Sequence, residues 1–241
     1  MPLLPLIAAL LFAAPAFAQQ AAVDLELVLA ADGSGSIDEE EFRLQRQGFA
    51  AAITSPEVLD AIQSGMLQRI VVALVEWGAP ESQHVIVDWV EVRDAASARI
   101  FADRLLAAPR QAWGYNSISN VIDFSARMIG ANAFEGVRKV IDVSGDGPQI
   151  GGRPLEEVRR ETLAQGITIN GLVIKSRGGG VRGPGGTDLG DHYERDVIGG
   201  PGAFVMTAEN RRNFEQAIRA KLVAEIAGLT PSTQFASRGS E

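Results

Sequence analysis

Short apolar runs alternate with longer amphipathic stretches along most of the chain, and that alternation restricts the fold more than any other feature. Runs of about four to eight aliphatic and β-branched residues suit strands buried on both faces, as in sheets covered by helices on each side. Leu25–Ala31 (LELVLAA), Ile70–Trp77 (IVVALVEW), Val85–Val92, Val140–Ser144, Ile167–Ile174 and Ala203–Met206 read as such strands. Asp38–Ile53 places Phe42, Phe49 and Ile53 on one helical face, and Pro56–Ile62 continues it after a break. Asp94–Ala107, Ser117–Ile129, Pro154–Gln165 and Ala208–Ala227 complete the helical set, with Pro154 suited to a first helical turn. The polar GAPESQH segment before Val85 is short enough for a hairpin, so one antiparallel pair is expected in an otherwise parallel sheet. The order strand, helix, strand, strand, helix, helix, strand, helix, strand, helix, strand, helix predicts an α/β domain whose ligands bind at the carboxyl ends of its parallel strands.

Composition narrows the setting. Residues 1–18 hold three prolines and no charged side chain, and end in Ala16-Phe17-Ala18, the small-x-small pattern of an export signal. Cleavage between Ala18 and Gln19 is expected, leaving one domain over 19–230 and a polar, aperiodic tail at 231–241. No other stretch is long and apolar enough to span a bilayer, so the mature chain is expected to be periplasmic or secreted. The absence of cysteine suits a bacterial periplasm or exterior, and excludes a disulfide-stapled mini-fold and a cysteine zinc site. A formal net charge of −8, with no run of Lys or Arg, gives no electrostatic drive toward nucleic acid or an anionic membrane.

Three loops at expected strand or helix ends carry small oxygen donors. They are Asp32-Gly33-Ser34-Gly35-Ser36, Gly114-Tyr115-Asn116-Ser117 and Gly145-Asp146-Gly147. Carboxylates, hydroxyls and an amide oxygen are hard donors of the kind Mg²⁺ or Mn²⁺ takes, and spacing by two lets Asp32, Ser34 and Ser36 converge while glycines permit the tight path. Each piece alone has a structural explanation. Ser36 with Glu39 is a capping-box pattern, Asp146-Gly147-Pro148 a turn, and Ser117 a helix N-cap. Their joint placement points to a cation site.

DGSGS after a buried strand, GYNSIS before a helix and DVSGDG after a central strand resemble the metal-ion-dependent adhesion site of von Willebrand factor type A (vWA) domains. The resemblance spans about residues 24–228. Within it, IDVSGDG and DHYERDVIGGPGAF (Asp191–Phe204) are similar to an exported bacterial vWA-like group of unknown function. It implies a three-layer, Rossmann-like α/β fold: a mostly parallel central sheet with one antiparallel edge strand and helices on both faces. It further implies that Ser34 and Ser36 bond a divalent cation directly, and that Asp32 and Asp146 do so directly or through water. Asn116 stands where the family usually has threonine, with Ser117 as a substitute. The implied function is binding without catalysis: a protein partner presents a carboxylate to the cation's open position.

Asp142, inside an apolar strand, reads as a carboxylate bonded by neighbouring loops or as an accessory that shapes the metal site. His84 reads as a solvated turn residue. His192 and Tyr193 follow a glycine-rich loop (Ser176–Gly186) and are read as surface residues or as accessories near the ligand face, and Arg177 and Arg182 as a small basic spot. Trp77, Trp89 and Trp113 are expected to be partly buried, with Trp113 at the rim of the second loop. No nucleophile elbow, phosphate loop or dinucleotide fingerprint is present. The alternatives that remain are a Mg²⁺-dependent phosphohydrolase built on Asp32 and Asp146, and a structural scaffold with a vestigial site.

Overall fold

The computed structural model describes residues 20–175, 182–209 and 214–229. Six strands form one sheet: β1 (Ala21–Asp32), β2 (Ile70–Trp77), β3 (Gln83–Val92), β4 (Phe134–Gly145), β5 (Ile167–Ile174) and β6 (Val205–Ala208). Their order is β3-β2-β1-β4-β5-β6. Every neighbouring pair is parallel except β2 and β3, so the expected hairpin supplies the antiparallel edge. The helices are α1 (Glu39–Ile53), α2 (Pro56–Gln63), α3 (Ala95–Ala107), α4 (Ile118–Ala131), α5 (Leu155–Ala164), the short α6 (Leu189–His192) and α7 (Phe214–Ala227).

Strand β1 is central because its apolar run can be buried on both faces. Leu25, Leu27 and Leu29 pack with Phe49 and Ile53 of α1, Val58 and Ile62 of α2, Phe101 of α3, and Ile218 and Leu222 of α7. Val28 and Ala30 face the other way, onto Ile118, Val121 and Ile122 of α4 and Val158 of α5. Period-two alternation of a parallel strand thus separates two cores on opposite sides of the sheet. β1 continues parallel into β2 on one side and β4 on the other. The crevice at their carboxyl ends is the switch point at which open α/β sheets bind ligands.

Departures from the expected elements have local causes. Strand β4 begins at Phe134 because its polar first half pairs with the start of β1, Ala21 opposite Phe134, outside the apolar run. The buried Glu26 carboxylate holds that half by accepting from Gly136 N at 2.7 Å and Asn132 Nδ2 at 2.6 Å. The last strand lies at Val205–Ala208, since Ala203 N closes a turn onto Gly200 O at 3.2 Å. Pro154 precedes α5 instead of opening it. Ala208 ends β6, and the closing helix is described from Phe214. The helix expected between the last two strands falls at Leu189–His192 and runs into a π-helical turn over Tyr193–Val197. Residues 1–18, expected to be an export signal, Arg177, most of the glycine-rich loop and the tail lie outside the described residues.

Asp142 is a correction. It is buried on the α7 face of β4, where Lys221 Nζ lies 2.7 Å from its carboxylate, and among the described residues no loop bonds it. Lys221 also meets Glu225 Oε1 at 2.5 Å, and Asn170 Nδ2 donates to that oxygen at 2.9 Å. Burial alone would lower the Lys221 ammonium, but Asp142 and Glu225 outweigh it and hold it above its ordinary value. Burial, with Asp142 beside it, pushes the Glu225 carboxyl up to about 7. One ammonium thus faces two carboxyls, and the cluster retains a proton near neutrality.

A raised folded-state value means that the folded chain binds more protons than the unfolded chain between 4.5 and about 7, so stability falls as pH rises through that window. Glu225→Gln removes the titrating group and keeps an acceptor for Lys221. Chemical denaturation at pH 5 and pH 8 is expected to show a smaller loss of stability in this variant than in wild type; equal losses would contradict the assignment.

Candidate metal centre

Asp32, the last residue of β1, is fully buried, and all three oxygen-bearing loops meet on it. Its Oδ1 accepts from Ser34 N at 2.7 Å. Its Oδ2 accepts from Asn116 Nδ2 at 2.8 Å and from Asp146 N at 3.3 Å. Ser36 Oγ donates to Asp146 Oδ1 at 2.8 Å, which commits its single proton. Ser34 Oγ lies 3.0 Å from Ser36 Oγ, which links the two hydroxyls. Ser34 and Asp146 are buried, whereas Ser36 is half-buried and marks the mouth.

Ser36 is released for this position because it does not cap α1. The capping box is two residues later: Asp38 Oδ1 accepts from Glu41 N at 2.8 Å, and Glu41 Oε2 accepts from Asp38 N at 3.2 Å. Burial raises the Asp32 carboxyl to about 7, and the nearby Asp146 carboxylate adds to the shift. Two acids in a dry, hydroxyl-lined recess are destabilised when both are ionised, and a divalent cation removes that penalty. Among the described residues no three His, Cys, Asp or Glu side chains gather as a metal cluster, so any cation held here would have to rely on two carboxylates together with hydroxyl and amide oxygens.

Backbone bonds fix the loops to one another. Gly35 N donates to Gly114 O at 2.9 Å, Ser117 N to Gly78 O at 2.8 Å, and Ile150 N to Asn116 O at 2.6 Å. Gly114 has φ +82°, and a Cβ there would lie 2.6 Å from the Ala79 Cβ, so the second loop needs glycine for both reasons. Asn116 turns its amide nitrogen toward Asp32, and its Oδ1 lies near Gly147, where an added Cβ would come within 3.0 Å. In this arrangement it gives the carboxylate a donor; a half-turn of the amide would direct its oxygen there. Ser117 does not reach Asp32. Its Oγ forms no cap and lies 3.2 Å from Asn120 Oδ1 and 3.3 Å from Gly151 O, joining the second and third loops.

His192 and Tyr193 are both buried, which corrects the surface reading. His192 Nε2 accepts from Gln149 N at 3.3 Å, which leaves the proton on Nδ1 to donate to Asp196 Oδ2 at 2.7 Å. It anchors the third loop and touches none of the oxygen donors by hydrogen bond. Tyr193 lies beneath the site. Its hydroxyl has no hydrogen-bond partner among the described residues, and burial, then the charges of Asp32, Asp146 and Asp142, push it well above its ordinary value. His84 belongs to β3, with Nε2 at 3.2 Å from Ser82 Oγ, which in turn accepts from Trp113 N at 3.0 Å. Trp77 is fully buried, its Nε1 donating to Ala30 O at 3.0 Å; Trp89 is half-buried and Trp113 exposed. Arg182 is exposed and donates to Gly186 O at 3.3 Å.

Two positioning groups have no motif to announce them. Arg110 donates to the carbonyls of Ile37 (2.9 Å), Gly33 (2.9 Å) and Ser34 (2.6 Å), and stacks over Phe42. It turns the first loop's carbonyls outward and its hydroxyls inward. The segment that carries it is held by Glu76, whose Oε2 accepts from Gln111 N at 2.9 Å and whose Oε1 is paired with the buried Arg46. A glutamate within the apolar IVVALVEW run is the one sequence signal of this pair, because a carboxylate is rarely buried unless partnered.

A profile of a family described as a protein of unknown function (DUF1194) matches residues 22–230. The chain belongs to DUF1194. No curated protein matches it by sequence. Among solved structures, proximal thread matrix protein 1 from the mussel byssus superimposes with a TM-score of 0.63 at 13% identity, over 86% of this chain and 49% of that one. A von Willebrand factor type A protein from Catenulispora acidiphila gives 0.56 at 14%, over 86% and 43%. The vWF domain of the type V pili tip protein Mfa5 from Porphyromonas gingivalis gives 0.59 at 10%, over 87% and 97%. The DUF1194 chain thus spans about half of the mussel protein and almost all of the Mfa5 domain. At these identities the shared property is the fold, which is that of a vWA domain. The mussel protein has also been solved with a zinc-occupied MIDAS motif.

Gly145 shows how closely the site is packed from below. A Cβ there would lie 2.6 Å from Tyr193 Oη and 3.1 Å from Asp32 Oδ2. Gly145→Ala is expected to destabilise the fold by about 1–3 kcal/mol through overpacking. Tyr193→Phe removes the clashing, unpartnered oxygen and is expected to recover most of that loss in the double variant. Urea unfolding of the four proteins in this cycle measures the coupling, and additive effects would contradict the contact.

Proposed function

We propose that this DUF1194 protein is an exported, non-catalytic binding module that engages a protein partner through a divalent cation, Mg²⁺ or Mn²⁺, held by Asp32, Ser34, Ser36, Asn116 and Asp146. The observation that carries the reading is the convergence of Asp32, Asp146 and two serine hydroxyls in one buried, mutually bonded cluster at the sheet's switch point. Hard oxygen donors favour Mg²⁺ or Mn²⁺, and the zinc-occupied motif of the mussel protein supports a divalent ion in this fold. Bound there, the cation supplies an open coordination position for a partner's carboxylate, so an acidic partner could approach a chain of net charge −8. Export follows from residues 1–18 as a signal peptide cleaved after Ala18, with the domain at 19–230 and a tail at 231–241; the destination is the periplasm or exterior. No described helix is long and apolar enough to cross a membrane.

The phosphohydrolase alternative wants a lysine near the phosphate. Lys221 is buried against Asp142 and Glu225, Lys139 pairs with Glu26 and Glu135, and Lys175 pairs with Glu209. These placements favour the binding reading.

Calorimetric titration of the purified protein with Mg²⁺ and Mn²⁺ is expected to show one site that Asp32→Ala abolishes while the protein stays folded. Asn116→Thr is expected to tighten the site by about tenfold, or about 1.4 kcal/mol. Absence of both heat and a thermal shift in wild type would sink the cation reading, and metal binding gained only in Asn116→Thr would identify a vestigial site. Mg²⁺-dependent turnover of p-nitrophenyl phosphate that is lost in Asp146→Asn would favour the enzyme instead.

A further inference from the structure

The second and third loops carry three large apolar side chains that the fold leaves in solvent: Trp113 is 52% exposed, Tyr115 74% and Ile150 45%. They surround the mouth of the site. Trp113 and Tyr115 flank Gly114, whose carbonyl accepts from Gly35 between the two candidate serine ligands. Ile150 adjoins Asn116 through the bond from its own N–H to the Asn116 carbonyl at 2.6 Å. Asn116 is buried while Tyr115 is exposed, so the loop sends one side chain down to Asp32 and its neighbour outward.

Their exposure is not a result of a loose loop. Trp113 N donates to Ser82 Oγ at 3.0 Å, and Trp113 O accepts from Ala79 N at 2.8 Å. The Gly78 backbone runs so close that a Cβ there would lie 2.1 Å from Trp113 O. The Trp113 indole N–H and the Tyr115 hydroxyl bond nothing among the described residues, so both can meet carbonyls of an incoming chain. Exposed Trp and Tyr on a pinned backbone have the composition and pre-organisation that interfaces use as anchors, because little freedom is lost when they are covered.

We infer that Trp113, Tyr115 and Ile150 form a fixed apolar rim that selects the partner. Among segments that offer a carboxylate, it admits those whose Asp or Glu lies between bulky apolar side chains. This rests on the cation reading of the same site. The carboxylate would meet the cation at Ser36, and residues on either side of it would lie on the rim, since Tyr115 and Ile150 are covalent or hydrogen-bonded neighbours of Asn116. A segment with glycine, serine or charged residues beside its acid would leave the three side chains wet.

The test uses the mature chain and a synthetic peptide array of the form Gly-Ser-X-Asp-X-Ser-Gly, with X as Leu, Phe, Gly, Ser, Lys or Glu, read in Mg²⁺ and in EDTA. Peptides with Leu or Phe are expected to bind at least about tenfold better than those with Gly or Ser, and only in Mg²⁺. Replacing the central Asp by Asn should abolish binding. The double variant Trp113→Ser/Tyr115→Ser should lose the flank preference while Mg²⁺ calorimetry and thermal unfolding stay unchanged. Binding that ignores X, or a preference that survives in the double variant, overturns the rim and leaves the cation reading standing. Mg²⁺ binding without capture of any peptide also overturns the rim. Absence of Mg²⁺ binding in wild type removes the cation reading and the rim with it. Capture that persists in EDTA and in Asp32→Ala overturns the link between rim and cation.

Discussion

The Asp32 carboxylate is the point on which the rest of the site depends. It ends the central strand, has no water access, and takes one hydrogen bond from each of the three loops that form the mouth. Burial is the main penalty on this carboxylate, the Asp146 charge beside it adds to that penalty, and the three hydrogen bonds offset it only in part. The carboxyl is therefore shifted to about 7, and the recess is electrostatically suited to a positive ion. The same bonds that stabilise Asp32 bring together residues that are more than a hundred positions apart in the chain, such as Ser36 and Asp146.

Precision at this point comes from the backbone. Loop-to-loop bonds join Gly35 with Gly114, Ile150 with Asn116 and Ser117 with Gly78, and Arg110 orients the first loop from behind. Arg110 is held in turn by a segment anchored on the buried Arg46–Glu76 pair, a contact whose loss leaves an uncompensated charge. Below, Tyr193 and Gly145 fill the floor so tightly that one methyl group is too much. Such a site presents its donors without first having to order them, and it presents Trp113 and Tyr115 on the same rigid frame.

Two ionic systems share β4 without merging. Asp146 follows the strand and joins the candidate metal centre, whereas Asp142 points to α7 and is occupied by Lys221. The two lie an even number of residues apart, so alternation would not separate them; the division arises because Asp142 sits inside the strand and Asp146 past its end, where the sheet opens on the switch point. The carboxylate inside the strand therefore works on helix docking, and the one past its end joins the three-loop cluster around Asp32.

Much of the fold was legible because its signals are local. Apolar runs marked four of the six strands closely, the short polar link marked the hairpin, and the glycine-and-oxygen loops marked Asp32, Ser34, Ser36 and Asp146 as neighbours. The start of β4, the short α6 and the shift of β6 were not legible, because backbone pairing and turns set them where no apolar pattern extends. The positioning roles of Arg110, Glu76 and His192, and the pairing of Asp142 with Lys221, could not be read either: each depends on which distant segment the packed helices bring opposite a polar group. The sequence by itself determined the layer architecture and the chemistry of the loops, since periodicity and residue type are encoded position by position. Only the tertiary structure decided which charged groups are paired with which partners and which are buried beside one another, because burial and long-range hydrogen bonding exist only once the chain has folded.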